Sequence, residues 1–404
     1  MKKHILVISQ YFYPENFRIN DICAEWVDRG YEVTVVTGIP NYPQGKFYKG
    51  FGLFKKRKEV YKGINIIRIP LIPRGNNSIM LALNYLSFVV TGYFWKLFTK
   101  IKADYVFIFE VSPMTQALPG VWYAKKKKIP CYIYVQDLWP ENVEVVTGIS
   151  NKLVIGSIES MVSYIYKNTN KILTTSESFA KSIINRNVKK EKVIFWPQYA
   201  EDFYHPVRRN YSSGIPNDGK LNVVFTGNIG YAQGLDLLPK VAIKLKAIGE
   251  GDKIRFNLVG DGRYRSELKQ QIEDNDLTDM FAFYGQRKPT EIPQILSDSD
   301  VAYLSFADED LFNMTIPAKL QSYMACRIPI IASAAGETEK IIEESNAGYC
   351  SKTGNVEMLT ESILQFKRLS HDEKDEMAQN SRDYYVKNFN KQELMDEVDI
   401  LFKN

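Results

Sequence analysis

The sequence predicts an α/β protein built from two doubly wound domains. Its 404 residues are more than one ordinary core of this class needs and suit two domains of roughly 200 residues each. Short apolar runs alternate with helical patterns along the chain, as in a parallel sheet with helices on both faces. The alternation stops between Pro197 and Gly219 in a stretch rich in Pro, Asn, Ser and Gly, which marks the boundary.

The first domain, residues 1–200, opens with a buried strand predicted over His4–Ser9. This apolar run is too short for the core of a signal peptide, so we expect a cytoplasmic protein. Apolar residues at helical spacing predict a helix over Arg18–Arg29. Further strands are predicted at Glu32–Thr37, Asn65–Ile69, Asp104–Phe109, Pro130–Val135, Lys171–Thr175 and Val193–Trp196.

A linker over residues 201–219 leads to the second domain, residues 220–370. Its strands are predicted at Asn222–Phe225, Ile254–Val259, Phe281–Tyr284, Val301–Leu304 and Pro329–Ala332. Its helices are predicted at Leu235–Ile248, Arg263–Asn275, Glu291–Leu296 and Ala318–Cys326. Residues 371–404 form a last helical segment that could cross back onto the first domain. Two such domains facing each other would bind ligands where the carboxyl ends of their strands meet.

The two halves differ in charge. Residues 1–200 contain 28 Lys and Arg against 14 Asp and Glu, whereas residues 201–404 contain 24 against 33. The basic half should face an anionic partner such as phospholipid headgroups, a pyrophosphate or nucleic acid. The sequence shows no motif that interleaves aromatic and basic residues for RNA or DNA, so nucleic acid is not an expected partner.

The segment Ile79–Trp95 contains no charged residue and is followed by Lys96, Lys100 and Lys102. Three interpretations stay open, namely a buried helix, an interfacial helix that anchors the protein to a bilayer, and a membrane span, for which the segment is slightly short. The basic runs Lys55–Lys58 and Lys125–Lys128 favour contact between residues 79–102 and an anionic membrane.

The four cysteines form no CxxC pair, and the three histidines lie far apart. This pattern favours reduced, mostly buried thiols and argues against a disulfide framework or a zinc site.

Three turns of the second domain follow predicted strands and carry glycines or cations. Backbone N–H groups and the dipole of a following helix make such a turn an anion site, although it can also serve packing alone. The sequence does not spell GxGxxG, so the nicotinamide fingerprint is absent. The candidate ligands of an anion in these turns are Gly227, Asn228, Gly230, Gln233, Gly260, Gly262 and Arg287.

The stretch Thr315–Cys326 predicts a helix with Pro317 in its first turn and Thr315 as its cap. Lys319 then lies in the early turns and can reach a phosphate. The alternative for Lys319 is an exposed helix lysine.

These motifs resemble the family 4 glycosyltransferases, and the match covers nearly the whole chain in order. In the second domain the matching segments are Gly-Asn-Ile-Gly (227–230), Val-Gly-Asp-Gly (259–262), Thr-Ile-Pro-Ala-Lys (315–319) and Pro-Ile-Ile-Ala-Ser (329–333). In the first they are Gln-Tyr-Phe-Tyr-Pro-Glu (10–15), Gly-Ile-Pro-Asn-Tyr-Pro-Gln-Gly-Lys (38–46), Gln-Asp-Leu-Trp-Pro-Glu (136–141) and Thr-Ser-Glu-Ser-Phe (175–179). This set is similar to the branch with the L-fucosamine transferases of bacterial O-antigen, capsule and exopolysaccharide synthesis.

The resemblance implies the GT-B fold, two Rossmann-like domains facing a central cleft. It implies a nucleotide-sugar donor in the second domain, by analogy with the branch a UDP-sugar that carries an N-acetylated or deoxy-hexosamine. The implied acceptor is a saccharide linked to polyprenyl diphosphate, bound by the first domain at the cytoplasmic membrane face. Transfer with retention of anomeric configuration, without a metal or other cofactor, is also implied, because protein cations and helix dipoles stabilise the departing diphosphate.

The chain departs from the family at its usual acidic pair. The family's two glutamates, separated by seven residues, fall on Met314 and Ser322, and its lysine after the first glycine turn falls on Gln233. The diphosphate is therefore assigned first to Lys319 and second to Arg287. Candidates for the ribose are Gln321 and Ser322.

In the first domain the candidate catalytic residues are Glu15, Arg18 and Asp137, and the candidates for the acceptor or sugar are Asn41, Tyr42, Lys46 and Glu110. Arg18 could instead lie on a helix surface, and Asp137 could cap the stretch Asn142–Val145.

Two other functions stay open. The missing glutamates would fit a catalytically silent GT-B subunit that binds a partner. A GT-B sugar-nucleotide epimerase would need carboxylates and histidines beside the sugar, for which His205 alone is poor support.

Overall fold

The computed structural model describes residues 2–143 and 151–403. The chain divides into two compact units, Met1–Trp196 and Pro197–Asn404, and each contains one parallel or nearly parallel sheet. The described parts of both units therefore have the α/β architecture that the alternation of strands and helices predicts.

The first unit contains an eight-stranded sheet in the order β3-β4-β2-β1-β5-β6-β7-β8. All neighbours are parallel except β3 and β4, which are antiparallel. Its strands are β1 (His4–Ile8), β2 (Glu32–Thr37), β3 (Lys58–Tyr61), β4 (Ile64–Arg68), β5 (Tyr105–Glu110), β6 (Cys131–Val135), β7 (Lys171–Thr174) and β8 (Val193–Phe195). Its helices are α1 (Ile19–Asp28), α2 (Ser78–Phe98), α3 (Ala117–Lys127), α4 (Lys152–Lys167) and α5 (Glu177–Asn185). The strand order reverses between β1 and β5, which makes their carboxyl ends the ligand-binding edge expected of this topology.

The second unit contains a six-stranded parallel sheet in the order β11-β10-β9-β12-β13-β14, which reverses between β9 and β12. Its strands are β9 (Leu221–Thr226), β10 (Ile254–Val259), β11 (Phe281–Gly285), β12 (Val301–Ser305), β13 (Ile330–Ser333) and β14 (Gly348–Ser351). Its helices are α6 (Leu237–Ala247), α7 (Arg265–Asp274), α8 (Ile292–Asp298), α9 (Asp310–Asn313), α10 (Ala318–Ala325), α11 (Glu337–Ser345), α12 (Val356–Arg368), α13 (His371–Asn388) and α14 (Lys391–Lys403).

Two apolar clusters cover opposite faces of the second sheet, and β9 shows why its sequence is continuously apolar. Val223 and Phe225 belong to one cluster, whereas Val224 belongs to the other. Successive side chains of a strand point to opposite faces, so a strand that is covered on both sides needs apolar residues throughout.

The segment over residues 201–219 packs onto the second unit. The carboxylate of Asp298 accepts hydrogen bonds from the backbone N–H groups of Asn210, Tyr211 and Ser213 at 2.8–3.0 Å. Arg209 donates to the carbonyl oxygens of the residues on either side of Asp298. Asp298 therefore fixes the path of this segment. Helix α13 packs on α10, and a contact of residues 371–404 with the first domain stays a prediction.

Helix α2 contains the apolar segment, and about half of its residues are exposed. Only Asn84, Phe88 and Gly92, which lie four residues apart, are buried. Helix α2 has the length and composition of a membrane span, yet only 17% of its most apolar 18-residue segment is buried within the described structure. The interpretation as a buried helix is therefore wrong, because only three residues, all on one side of this helix, are buried.

Candidate active site

The glycine turns after β9 and β10 are in direct backbone contact. Gly227 and Gly260 have φ angles of +136° and +142°, and a Cβ on Gly260 would lie 1.8 Å from the carbonyl oxygen of Gly227. A Cβ on Gly262 would lie 2.2 Å from the carbonyl oxygen of Ile229. Only glycine permits this approach, in which the N–H groups of Gly227 and Ile229 donate to the carbonyl oxygens of Val259 and Asp261 at 2.9 Å and hold the two turns together at the reversal point of the sheet.

The first turn is also attached to the end of β12. Gly234 has a φ of +56°, and a Cβ there would lie 2.5 Å from the carbonyl oxygen of Phe306. The hydroxyl of Ser305 donates to the carbonyl oxygen of Gln233. Gln233 is therefore held in place by the neighbouring strand, and its side chain remains available to another partner.

Helix α10 begins differently from the prediction. Its N-cap is Pro317, with an extended ψ of 140° and no side-chain cap, whereas the hydroxyl of Thr315 donates to the carbonyl oxygen of Leu311 at 3.1 Å. The assignment of Thr315 as cap is wrong, because Thr315 closes the preceding short helix. No side chain caps the first N–H groups of α10, and at a helix N-terminus such groups attract anions.

Lys319 reaches the glycine turn after β9. Its ammonium donates to Oε1 of Gln233 and lies 4.3 Å from the centre of the Phe225 ring. Its stem lies over Gly227, where a Cβ would be 3.4 Å from Cδ of Lys319. Lys319 is half-buried rather than an exposed helix lysine. Burial lowers its pKa to about 7.

No carboxylate of the described residues pairs with Lys319, since its one polar partner is an uncharged amide. An ammonium that is partly desolvated without a counter-ion attracts an anion strongly. Lys319, beside the glycine turn and the uncapped start of α10, is therefore a candidate ligand for an anion.

The other candidates in the second unit differ in their accessibility. Asn228 is exposed, and Arg287 lies 4.0 Å from Glu291 in a partly exposed pair. Gln321 is fully buried, and the hydroxyl of Ser322 donates to the carbonyl oxygen of Ala318 in its own helix. In this conformation neither ribose candidate is available to a ribose hydroxyl, because Gln321 is buried and the Ser322 hydroxyl is bonded within its own helix.

In the first unit, Glu110 and Asp137 lie at the ends of the adjacent strands β5 and β6. Burial raises the pKa of Glu110 well above its usual range, and the neighbouring charge of Asp137 adds to this shift. Oδ2 of Asp137 accepts a hydrogen bond of 2.7 Å from the backbone N–H of Ser112, and burial raises its pKa too. The alternative that Asp137 caps the stretch Asn142–Val145 involves residues 144 and 145, which lie outside the described residues.

Glu15 joins two loops. Its Oε1 accepts from the backbone N–H groups of Asn41 and Tyr42 at 2.8 and 2.7 Å, and its Oε2 accepts from that of Phe12 at 3.3 Å. Burial raises its pKa to about 7, against the opposing effect of these hydrogen bonds. This geometry makes Glu15 a positioning residue for the loops at the ends of β1 and β2.

The remaining candidates of the first unit differ in burial and position. Asn41 is fully buried and accepts from the backbone N–H of Arg74 at 2.9 Å. The ring of Tyr42 is partly exposed, Lys46 is exposed, and Arg18 immediately precedes α1, near Tyr134.

Sequence reasoning missed Arg74. Its Nη1 donates to the hydroxyl of Tyr11 at 3.1 Å, and its guanidinium lies 5.4 Å from the ring centre of Tyr42. The available signal was an arginine between Pro73 and Gly75 just before the apolar segment.

Two family models match the chain. Residues 16–198 match a model described as "Glycosyl transferase 4-like domain", and residues 209–384 match one described as "Glycosyl transferases group 1". The two matches divide where the two structural units divide.

Among curated proteins, the chain is similar to the "Putative colanic acid biosynthesis glycosyl transferase WcaI" of Escherichia coli (strain K12). The two are 24% identical over 381 residues, which span 89% of this chain and 91% of that protein. Among solved structures, it resembles sucrose-phosphate synthase from Thermosynechococcus elongatus with a TM-score of 0.77 and 15% identity, over 100% of this chain and 98% of the other. Anabaena Alr3699/HepE in complex with UDP has a TM-score of 0.71 and 14% identity, with 100% of both chains covered.

Proposed function

We propose that the donor of this chain is a UDP-sugar held by the second unit. The reason is that the chain belongs to the family 4 glycosyltransferases of the GT-B fold that act in polysaccharide synthesis. The sugar is an N-acetylated or deoxy-hexosamine, and it is transferred with retention to a saccharide linked to polyprenyl diphosphate. The protein works at the cytoplasmic membrane face, in peripheral contact with anionic lipid. The L-fucosamine branch remains a prediction.

The observation that carries the donor proposal is the ammonium of Lys319, which lies at the glycine turns without a carboxylate partner among the described residues. A nucleoside diphosphate brings two negative phosphates, which the ammonium of Lys319 and the uncapped N–H groups at the start of α10 can bind. Lys319 occupies the place beside Gln233 where the family's lysine is missing. The complex of Anabaena Alr3699/HepE with UDP supports uridine as the base.

The chemistry assigned to these groups is stabilisation of the departing diphosphate. Charge grows on its oxygen as the bond to the sugar breaks, and Lys319 together with the N-terminus of α10 lies ready to balance it. We expect this without a metal. In the parts of the chain that the structure describes, no group of three or more His, Cys, Asp and Glu could hold a metal ion.

Asp137 is the proposed polar contact for the acceptor or the sugar. It follows β6 at the ligand-binding edge of the first sheet, and one of its oxygens is engaged by Ser112. Burial raises the pKa of Glu110 well above its usual range, and the neighbouring charge of Asp137 raises it further, so the two carboxyl groups are coupled.

The test is release of UDP from a panel of UDP-sugars by the purified chain, with lipid-linked saccharides as acceptors. We expect Lys319→Ala to abolish release and Lys269→Ala, an exposed lysine of α7, to leave it unchanged. A thermal-shift series with UDP and GDP checks the base, since a bound ligand raises stability by mass action. Stabilisation by GDP alone would contradict the donor assignment.

The absence of carboxylates at Met314 and Ser322 favours a second candidate, a silent subunit that only binds a partner. The two candidates separate in one experiment. A wild-type chain that binds UDP-sugars and a partner protein but releases no UDP with any acceptor would favour the silent subunit.

A further inference from the structure

Arg74 is a cation without an anionic partner. Its Nη1 donates to the hydroxyl of Tyr11, and the face of Tyr42 lies beside its guanidinium. No carboxylate of the described residues lies within 4 Å of it, and its polar contacts are to uncharged groups. Half-buried guanidinium groups usually have an anion close by, because the planar group offers five donors in a fixed fork.

Aromatic residues connect Arg74 with the ligand-binding edge of the first sheet. Tyr11 stacks on Phe17 with ring centres 5.2 Å apart, and Tyr42 lies 5.5 Å from Tyr11. Tyr85 of α2 belongs to the same group, because its hydroxyl is hydrogen-bonded to the Tyr11 side chain and its pKa is shifted by the charge of Arg74.

A continuous apolar surface begins immediately after Arg74. Asn77 caps α2, and exposed apolar side chains then recur every three or four residues along its 21 residues. These side chains, which we call the α2 stripe, are Ile79, Leu83, Leu86, Val90, Phe94, Leu97 and Phe98. A contiguous exposed stripe of this kind marks an interaction surface.

Helix α2 is held to the segments that follow β1 and β4 by hydrogen bonds on its buried side. Asn84 accepts from Nε2 of Gln10 and donates to the carbonyl oxygen of Ile72, at 2.7 and 2.6 Å. The hydroxyl of Thr91 donates to the carbonyl oxygen of Pro70 at 2.7 Å. A spanning helix would have to leave these partners, so the attached helix fits an orientation along the surface of a bilayer.

The two ends of α2 are basic. Arg74 precedes it, Lys96 lies in its last turn, and Lys100 and Lys102 follow it. Lys126 of α3 is close to the last group, because its ammonium donates to the carbonyl oxygens of Lys96 and Leu97 at 3.2 and 3.1 Å. An apolar helix face between cations is complementary to lipids that carry phosphate.

We propose that Arg74, with Tyr11 and Tyr42, binds the phosphate of a polyprenyl-diphosphate-linked acceptor, and that the α2 stripe lies against the bilayer that holds its chain. This inference rests on the proposed lipid-linked acceptor and assigns to it a residue that no motif indicated. The guanidinium makes charge-assisted bonds to the diphosphate.

The test uses co-flotation of the full chain with three kinds of vesicle: phosphatidylcholine alone, phosphatidylcholine with undecaprenyl diphosphate, and phosphatidylcholine with phosphatidylglycerol. We expect Arg74→Gln to weaken binding to the undecaprenyl diphosphate vesicles at least about ten-fold, because hydrogen bonds to a charged group are lost. Arg74→Lys should retain part of the binding, since a point charge remains. The matched control is Arg208→Gln, an exposed arginine of the second unit.

The α2 stripe is tested with Leu86→Glu, which should reduce binding to every kind of vesicle. Its control is Ile400→Glu, because Leu86 and Ile400 are similarly exposed, at 58% and 56%. Equal binding of Arg74→Gln and wild type to the undecaprenyl diphosphate vesicles would overturn the proposal. An equal loss on phosphatidylglycerol would also overturn it, because Arg74 would then recognise any lipid phosphate.

A parallel melt with UDP-N-acetylglucosamine separates this inference from the proposed function. If the wild type is not stabilised by this donor and releases no UDP from any UDP-sugar, the proposed function fails. If transfer occurs and Arg74→Gln transfers as well as wild type to the lipid-linked acceptor, only the present inference fails.

Discussion

Replacing Lys319 by Met removes the charge at the glycine turns and keeps most of the apolar stem that lies over Gly227. At about 3 Å and an effective dielectric constant of about 20, one ammonium and one phosphate charge attract each other by about 5 kcal/mol before desolvation. Measured losses for hydrogen bonds to charged groups are about 1.5–3 kcal/mol. We therefore expect Lys319→Met to bind UDP-N-acetylglucosamine about 10- to 150-fold more weakly.

The pH dependence separates the charge from the shape of this side chain. The pKa of Lys319 in the free chain is about 7, so the ammonium is present below pH 7 and is lost as the pH rises above it. Donor binding to the ammonium form must then take up a proton. From pH 6 to 8.5 the wild-type affinity should fall by up to about 30-fold, and the fall stops where the pKa of the complex is reached.

Calorimetric titration with UDP-N-acetylglucosamine, whose diphosphate carries no proton in this range, measures both effects. Lys319→Arg should bind the donor without the pH dependence, because arginine stays protonated. Lys269→Met is the control for removal of an exposed lysine from the same unit. A folded Lys319→Met that binds within about two-fold of wild type, or a flat pH profile of the wild type, would refute the assignment of the diphosphate to Lys319.

Three further predictions concern other parts of the chain. Gly260→Ala should destabilise the second unit by about 1–3 kcal/mol and weaken UDP binding, because its Cβ would meet a carbonyl oxygen at 1.8 Å. The control is Gly52→Ala, whose Cβ would meet nothing within 4 Å. In thermal melts the control should change neither the stability nor the stabilisation by UDP. The contribution of Glu15 to the free energy of unfolding should fall by about 3 kcal/mol from pH 4.5 to 7, because Glu15 keeps its proton in the folded chain up to a pKa of about 7. Urea titrations should find a smaller fall over this pH range in Glu15→Gln. EDTA should leave UDP release unchanged, and restoration of a lost activity by added Mg²⁺ or Mn²⁺ would contradict metal-independent transfer.

Local patterns predicted most of the strands. The bounds of β2 and β10 agree with the prediction, because both are short apolar runs that are buried on two faces. Strand β3 was missed, since Lys58 and Glu59 follow a basic run and resemble a solvated loop. An antiparallel edge strand needs only one partner and tolerates such charges.

The candidate site could be predicted only in part. The glycine turns are contiguous in sequence, and their spacing after strands indicates an anion site directly. The contact of Lys319 with Gln233 joins residues 86 positions apart, and that of Arg74 with Tyr11 joins residues 63 apart. No local pattern carries such a pairing, so the partner of each cation had to come from the folded chain.

The sequence by itself determined the two α/β units and the glycine turns, because backbone preference and hydrophobic periodicity act over a few residues. The tertiary structure decided that Glu15 binds backbone N–H groups, that Thr315 closes the helix before α10 instead of capping α10, and that α2 exposes its apolar face. Each of these outcomes depends on which distant groups are brought together when the chain folds. The burial that lowers the pKa of Lys319 has the same origin, since desolvation is a property of the packed surroundings.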